Sequence, residues 1–168
     1  MDISKENWKM VRDVCNKGLD TNSHLSLGTV NEDGSPNIAP VGSFIFLEYP
    51  GKAFFFDKFF TTTSKNIDRD PRICVIGVNS GFLFWMNSLR RGYFSSPPGI
   101  RLTGIAGQKR EATDKERAMW LDKVKTARRT KGYKILWADM KHIRDVEFKT
   151  YELGSVGEMT PQYKKQRV

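Results

Sequence analysis

Asn31-Glu32-Asp33-Gly34-Ser35-Pro36-Asn37-Ile38-Ala39-Pro40-Val41-Gly42-Ser43-Phe44 is a turn that runs into an extended segment, and its setting decides the fold. Just upstream, His24-Leu25-Ser26-Leu27-Gly28-Thr29-Val30 alternates around Leu25, Leu27 and Thr29, the period of a half-buried strand. Gly34 can adopt the positive φ of a tight reversal, so the chain is predicted to double back into a return strand over about 36–47. A second turn at Tyr49-Pro50-Gly51-Lys52 leads into Ala53-Phe54-Phe55-Phe56-Asp57. Two linked hairpins predict an antiparallel meander.

Upstream of the hairpin, Trp8, Val11, Cys15 and Leu19 form one narrow apolar stripe, which predicts a helix over 4–17 lying on the sheet, with Gly18 as its stop. Downstream, Phe59-Phe60-Thr61-Thr62-Thr63-Ser64-Lys65-Asn66-Ile67-Asp68-Arg69-Asp70-Pro71 reads as hydroxyl residues opening a short helix. Pro71 ends it, because the residue before a proline is pushed out of helical geometry. A strand over 72–78 follows, then a loop-like stretch over 79–98 carrying Phe82, Phe84, Trp85, Tyr93 and Phe94, then a strand over 101–107. Thr113-Asp114-Lys115-Glu116 is a capping box that opens a helix to about 130, with Trp120, Val124 and Ala127 on its buried face and Gly132 at its end. Closing strands are expected over 133–137 and 143–151, and a basic, mobile tail over 157–168. The whole chain, 1–168, reads as a single domain: a closed antiparallel barrel with peripheral helices.

Composition agrees with one soluble domain. The 168 residues are 39% hydrophobic and 28% charged, enough to bury a core without metals or disulfides. Cys15 and Cys74 stand far apart, one on the helix stripe and one inside a strand, and read as buried thiols. The start of the chain is polar and no run is long enough to span a membrane, so a cytoplasmic protein is expected. The formal charge of +9 favours anionic ligands in general, phosphorylated cofactors included. A nucleic-acid-binding barrel would use the same charge. The aromatic runs Phe44-Ile45-Phe46 and Phe54-Phe55-Phe56, however, read as continuous core strands rather than exposed stacking platforms.

The usual catalytic constellations are missing. There are two histidines, His24 and His142, and no metal-ligand cluster, nucleophile elbow or phosphate loop of the Walker type. A bound cofactor would therefore have to supply the reactive atoms. The best anion site is Thr61-Thr62-Thr63-Ser64-Lys65, where free helix N–H groups and hydroxyls gather, with Lys58 or Lys65 for charge. The same residues also read as a plain helix cap beside a solvated lysine.

In their order, these pieces resemble the FMN-binding split β-barrel family of pyridoxamine 5′-phosphate oxidase-like proteins. The elements that carry the resemblance are the first helix, Asp33-Gly34-Ser35-Pro36, the small-residue strand Ala39-Pro40-Val41-Gly42-Ser43, the aromatic strand Phe54-Phe55-Phe56-Asp57, and the hydroxyl-rich turn into a helix ending at Asp70-Pro71. The resemblance implies a mainly β fold with peripheral helices, a six-stranded antiparallel Greek-key split β-barrel. It also implies a homodimer with FMN in the interface. Ala39, Pro40, Val41, Gly42 and Ser43 would lay their backbone along the isoalloxazine edge, and Phe56 and Asp57 would pass beside the ribityl chain and ring. Thr61, Thr62, Thr63, Ser64 and Lys65 would meet the phosphate. Many relatives carry basic residues where Thr62 and Thr63 stand, so Lys58, Lys65 or Arg69 would have to supply the charge. The implied activity is an FMN-dependent oxidoreductase acting on a small substrate, with an electron donor such as NAD(P)H. A non-catalytic flavin or haem binder or an electron carrier is the alternative.

Overall fold

Alternation sets which way each strand faces, and one interruption in it sets the topology. The computed structural model describes the backbone of residues 1–166 and the side chains of residues 1–163. Its helices are α1 (Lys5–Asn22), α2 (Thr62–Arg69), α3 (Phe82–Arg91), α4 (Asp114–Lys123) and α5 (Lys131–Leu136). Its strands are β1 (Leu25–Val30), β2 (Pro36–Val41), β3 (Ile45–Phe46), β4 (Lys52–Phe56), β5 (Arg72–Val78), β6 (Gly99–Ala106), β7 (Arg110–Glu111) and β8 (His142–Leu153). All the pairings are antiparallel, in the order β2-β1-β5-β6-β8-β4-β3, with β7 on β8. Six of these strands have five residues or more, and the two-residue β3 and β7 raise the expected count of six to eight among the described residues.

The return strand predicted over 36–47 is two strands at opposite edges of the sheet. β2 pairs with β1, whereas β3 pairs with β4, and Gly42-Ser43-Phe44 carries the chain between them. This crossing joins the two free edges and curls the sheet into a split β-barrel. Ser43 secures it: its Oγ accepts from Phe56 N at 3.0 Å and donates to Phe56 O at 3.2 Å, standing in for ladder bonds. Gly42 makes room for it, since a Cβ there would lie 2.6 Å from Ser23 O.

Leu25, Leu27, Val75, Leu102 and Phe55 fill the barrel, and the α1 stripe of Trp8, Val11, Cys15 and Leu19 closes it, all buried as the stripe predicts. α1 does not stop at Gly18. That residue packs against Gly77 on β5, 3.3 Å from a Cβ position to Cα, and the helix ends at Ser23 in the left-handed region with φ 63°. β4 is buried on both faces: Phe55 points into the barrel, while Phe54 and Phe56 point outward into a second cluster with Trp120, Met140 and Ile143. Phe44, Ile45 and Phe46 are buried as well, so neither aromatic run forms an exposed stacking platform on the outer surface.

Three other segments depart from expectation. The stretch over 79–98 contains α3, in which Phe84 and Trp85 pack on Phe94, while Phe82, Leu83, Met86 and Leu89 are exposed and obscure the helical period. The helix expected to run to 130 ends at Lys123 and is followed by a 3₁₀ turn, Lys125–Ala127. The strand expected over 133–137 is instead part of α5, which contains Gly132; Thr130 caps it by accepting from Tyr133 N. Cys74 is half-buried on the outer face, not enclosed. The tail begins as two 3₁₀ turns, Gly157–Met159 and Pro161–Gln166, tied to Phe94 through Phe94 N to Met159 O (3.0 Å) and Gln162 Nε2 to Phe94 O (3.1 Å). Arg167 and Val168 lie outside the described residues. Among those described, no helix is long and apolar enough to cross a membrane.

The predicted capping box is present and reaches further than its four residues. Glu116 accepts from Thr113 N at 2.8 Å and from both terminal nitrogens of Arg110, at 2.7 and 3.0 Å, while Arg110 also grips Asp145. The Arg110 hydrogen bonds hold the Glu116 carboxyl down at about 2, below its usual 4.5. A carboxyl lowered by folding contributes stability that is complete above its unfolded value and lost as pH falls through its folded one. The stability gap between wild type and Glu116→Gln is therefore expected to shrink as pH falls from 4.5 towards 2, as read from urea midpoints across that window. A constant gap would show that the carboxylate is not held by Arg110 in solution.

Candidate functional site

The seam that closes the barrel also opens a cavity. A space of about 380 Å³ lies between the end of α1, the crossing at Gly42 and Ser43, the Phe59-Phe60 segment that precedes α2, the end of α4 and the residues that follow α5. Pro40, Gly42 and Ser43 form one wall. The opposite wall is aromatic: Trp120 stands 5.7 Å from Phe56 and meets Trp137 edge-on at 6.3 Å and 87°. Phe59 and Phe60 line the side that leads into α2. Flat walls and a backbone edge suit a planar, mostly apolar ligand.

The residues predicted to meet the ring divide between this cavity and the barrel, and those predicted to meet the phosphate lie outside its lining. Pro40, Gly42, Ser43 and Phe56 face the cavity. Ala39 and Val41, in the opposite phase of β2, are buried in the barrel wall. The Ser43 hydroxyl is committed to Phe56, so at this edge it is the backbone that remains for a ligand.

At the start of α2 the first helical bond runs from Lys65 N to Thr61 O, 3.1 Å, which leaves the amides of Thr62, Thr63 and Ser64 ahead of the ladder. Thr61 and Thr62 are exposed there, beside the cavity residues Phe59 and Phe60. Thr63 is buried, and its hydroxyl accepts from Asn37 Nδ2 at 3.0 Å. Asn37 also reaches Thr29 Oγ1, and Asn66 reaches both Thr29 Oγ1 and Asn31 Oδ1. This amide network fixes α2 to the β1–β2 hairpin. Lys65 is exposed, Lys58 extends over Phe59 towards Leu136 O (3.4 Å), and Arg69 is engaged by Val30 O.

Asp57 is the centre of a buried ion-pair network. Its Oδ2 accepts from Arg144 Nε at 2.6 Å and from Ser64 Oγ at 2.7 Å. Its Oδ1 is buried without a hydrogen bond, with the Lys109 ammonium 3.7 Å away. Arg144, fully buried on β8, also donates to Asp68 Oδ1, Gly107 O and both oxygens of Ser64. The sequence reading missed Arg144. Its signal is parity: Arg144 shares a strand face with Val146 and Phe148, so a charge stands in an apolar phase. His24 and His142 are both exposed on the outside, and among the described residues no group of three His, Cys, Asp or Glu is placed to hold a metal.

The outer face of β2-β1-β5-β6 is unusually apolar for a solvated surface. Val30, Ile38, Ile76 and Ile105 are each at least 40% exposed and line a shallow hollow of about 690 Å³, and Val78, at the end of β5, is exposed to the same degree. Contiguous exposed apolar area of this kind marks an interaction surface.

The family model described as pyridoxamine 5′-phosphate oxidase matches residues 12–147. Solved structures with a similar fold include an FMN-binding protein from Syntrophomonas wolfei, at 12% identity and a TM-score of 0.58 over 90% of each chain. HupZ from Group A Streptococcus is 16% identical, with a TM-score of 0.53 over 84% of this chain and 91% of that one. A NimC/NimA family protein from Clostridium acetobutylicum is 19% identical, with a TM-score of 0.50 over 89% of this chain and 92% of its own. At these identities the likeness is one of fold. No curated protein matches the chain in sequence.

Proposed function

The chain belongs to the pyridoxamine 5′-phosphate oxidase family, and on that premise we propose that it is a flavoprotein that holds FMN in the seam cavity and acts as an oxidoreductase on a small substrate. The observation that carries this reading is the juxtaposition of a flat-walled cavity with the open amides of a helix start. The ring fits between the Pro40–Ser43 edge and the Trp120–Phe56 wall, and the phosphate fits the Thr62, Thr63 and Ser64 amides with the free hydroxyls of Thr61 and Thr62. A helix N-terminus with hydroxyl donors can hold phosphate without a basic pair, and the net charge of +9 adds long-range attraction.

Bound FMN supplies hydride or electron transfer, and the protein supplies position and environment. Gly42, held against Ser23 O, fixes the backbone edge that the ring would meet. Ser43, locked to Phe56, keeps the edge from shifting. Trp120 and Phe56 exclude water from the ring. The apolar face of β2-β1-β5-β6 is the surface on which a second copy would sit, giving a homodimer whose interface borders the seam cavity along β2, where Ile38 of that face and Pro40 of the cavity stand two residues apart. The electron donor would be a nicotinamide nucleotide or a small reductant.

Purified protein is expected to show flavin absorption bands and to release FMN on denaturation, or to bind added FMN with quenching of its fluorescence, and to sediment as a dimer. A colourless protein that does not bind added FMN overturns the proposal. Reduction by NAD(P)H followed by turnover of an acceptor identifies an enzyme; bound FMN that never turns over identifies a carrier.

A further inference from the structure

Two charged side chains line the seam cavity, Asp20 and Lys123. Lys123 is the last residue of α4. Its stem lies along the surface, but its ammonium turns inward and donates to Phe44 O at 2.7 Å. That carbonyl belongs to the crossing, directly after Ser43 at the cavity edge. An ammonium has three donors, and Phe44 O takes one. Lys123 is exposed as a residue and also borders a neighbouring hollow with Asn16, Ile45 and Met119, so it stands at the rim of the aromatic-walled space, where an ionic contact is partly screened yet still counts for more than in bulk water.

We propose that Lys123 is the residue that stabilises the negative charge which reduction places on the pyrimidine edge of the bound flavin, and that it thereby sets the flavin's potential. This inference rests on the FMN reading above. Reduction by two electrons with uptake of one proton leaves one negative charge on the ring, delocalised over the edge that would lie along Gly42 and Ser43. A cation fixed at Phe44 O is next to that edge and interacts with the reduced form far more than with the neutral oxidised form, so it acts on the equilibrium between them. Burial lowers the pKa of Lys123 and the Asp20 carboxylate partly opposes this, so the ammonium gains from an anion arriving beside it.

The test compares wild type, Lys123→Gln and Lys123→Arg, each reconstituted with FMN and reduced with dithionite against a reference dye. Lys123→Gln is expected to leave the affinity for oxidised FMN within about twofold and to weaken that for reduced FMN about tenfold, a midpoint potential about 30 mV lower for a two-electron couple. Lys123→Arg keeps the charge and is expected to retain the wild-type potential. An unchanged potential in Lys123→Gln overturns the inference while leaving the FMN reading intact. So does equal loss of affinity for both redox forms, which would mark a packing role. If wild type itself binds no FMN, the FMN reading fails, and this inference fails with it.

Discussion

Replacing Arg144 with methionine is expected to lower the unfolding free energy by about 3–5 kcal/mol, the cost of breaking a buried ion pair from one side. The side chain is fully buried, and its guanidinium serves Asp57 Oδ2, Asp68 Oδ1, Gly107 O and both oxygens of Ser64. Methionine keeps much of the stem volume but none of the donors. The Asp57 carboxylate, 1% exposed, would then keep only the Ser64 hydroxyl and the Lys109 ammonium, 3.7 Å away, and the carbonyls of Gly107 and Ser64 would lose a donor each. Two further variants separate the causes. Asp57→Asn combined with Arg144→Met removes both charges and is expected to recover part of the loss, because a buried pair as a whole is close to energetic balance. Asp68→Asn alone touches a side chain 50% exposed, where the ion pair is solvent-screened, and is expected to cost at most about 1 kcal/mol. Urea denaturation of the four proteins decides the matter. A loss below about 1 kcal/mol for Arg144→Met would mean that water reaches the network. The network also bears on the site, since it clamps the first turn of α2 to the end of β4.

The same cluster shows where sequence reading stops. β1 and β5 were legible because each keeps one apolar phase against the barrel, and the turn at Gly34 fixed their neighbour. The crossing at Gly42-Ser43-Phe44 was not, because the alternation of β2 carries on through it, and a change of sheet edge is a tertiary event that leaves period 2 intact. α3 escaped because Phe82, Leu83, Met86 and Leu89 are apolar yet exposed, so its pattern has no clean polar face. Residues 133–137 are rich in strand formers, but Thr130 supplies a helix cap and Tyr133 alone anchors the buried side. At the site, the Pro40–Ser43 edge and the helix start were readable as local chemistry. Asp57 was placed beside the ring; its partner Arg144 is 87 residues away, and no local pattern links the two. The cavity's aromatic wall was equally hidden. Trp120 reads as an ordinary buried helix residue until α5 folds Trp137 against it.

Trp120→Ala is the second large effect, expected at about 3–5 kcal/mol for a buried tryptophan. Its ring is 4% exposed, packs on Phe56 and Trp137, and donates from Nε1 to Trp137 O at 3.2 Å. It belongs to the smaller cluster that fastens α4 and α5 over the outer side of β4, so its removal should loosen those helices while the barrel core stays intact. Trp120→Phe keeps a ring against Phe56 and loses chiefly the indole hydrogen bond, about 1 kcal/mol. Hydrogen exchange should therefore rise first over 114–136 in the alanine variant, with β1, β5 and β6 still protected. FMN affinity supplies an independent reading. If the flavin ring lies against this wall, losing the aromatic contact weakens binding on the order of tenfold, and Trp120→Phe largely restores it. Loss of stability with unchanged FMN affinity would move the flavin out of the seam cavity, to another surface such as the outer face of β2-β1-β5-β6. Loss of both in Trp120→Ala, with affinity restored in Trp120→Phe, would tie the closure of the barrel and the binding of the cofactor to one aromatic side chain.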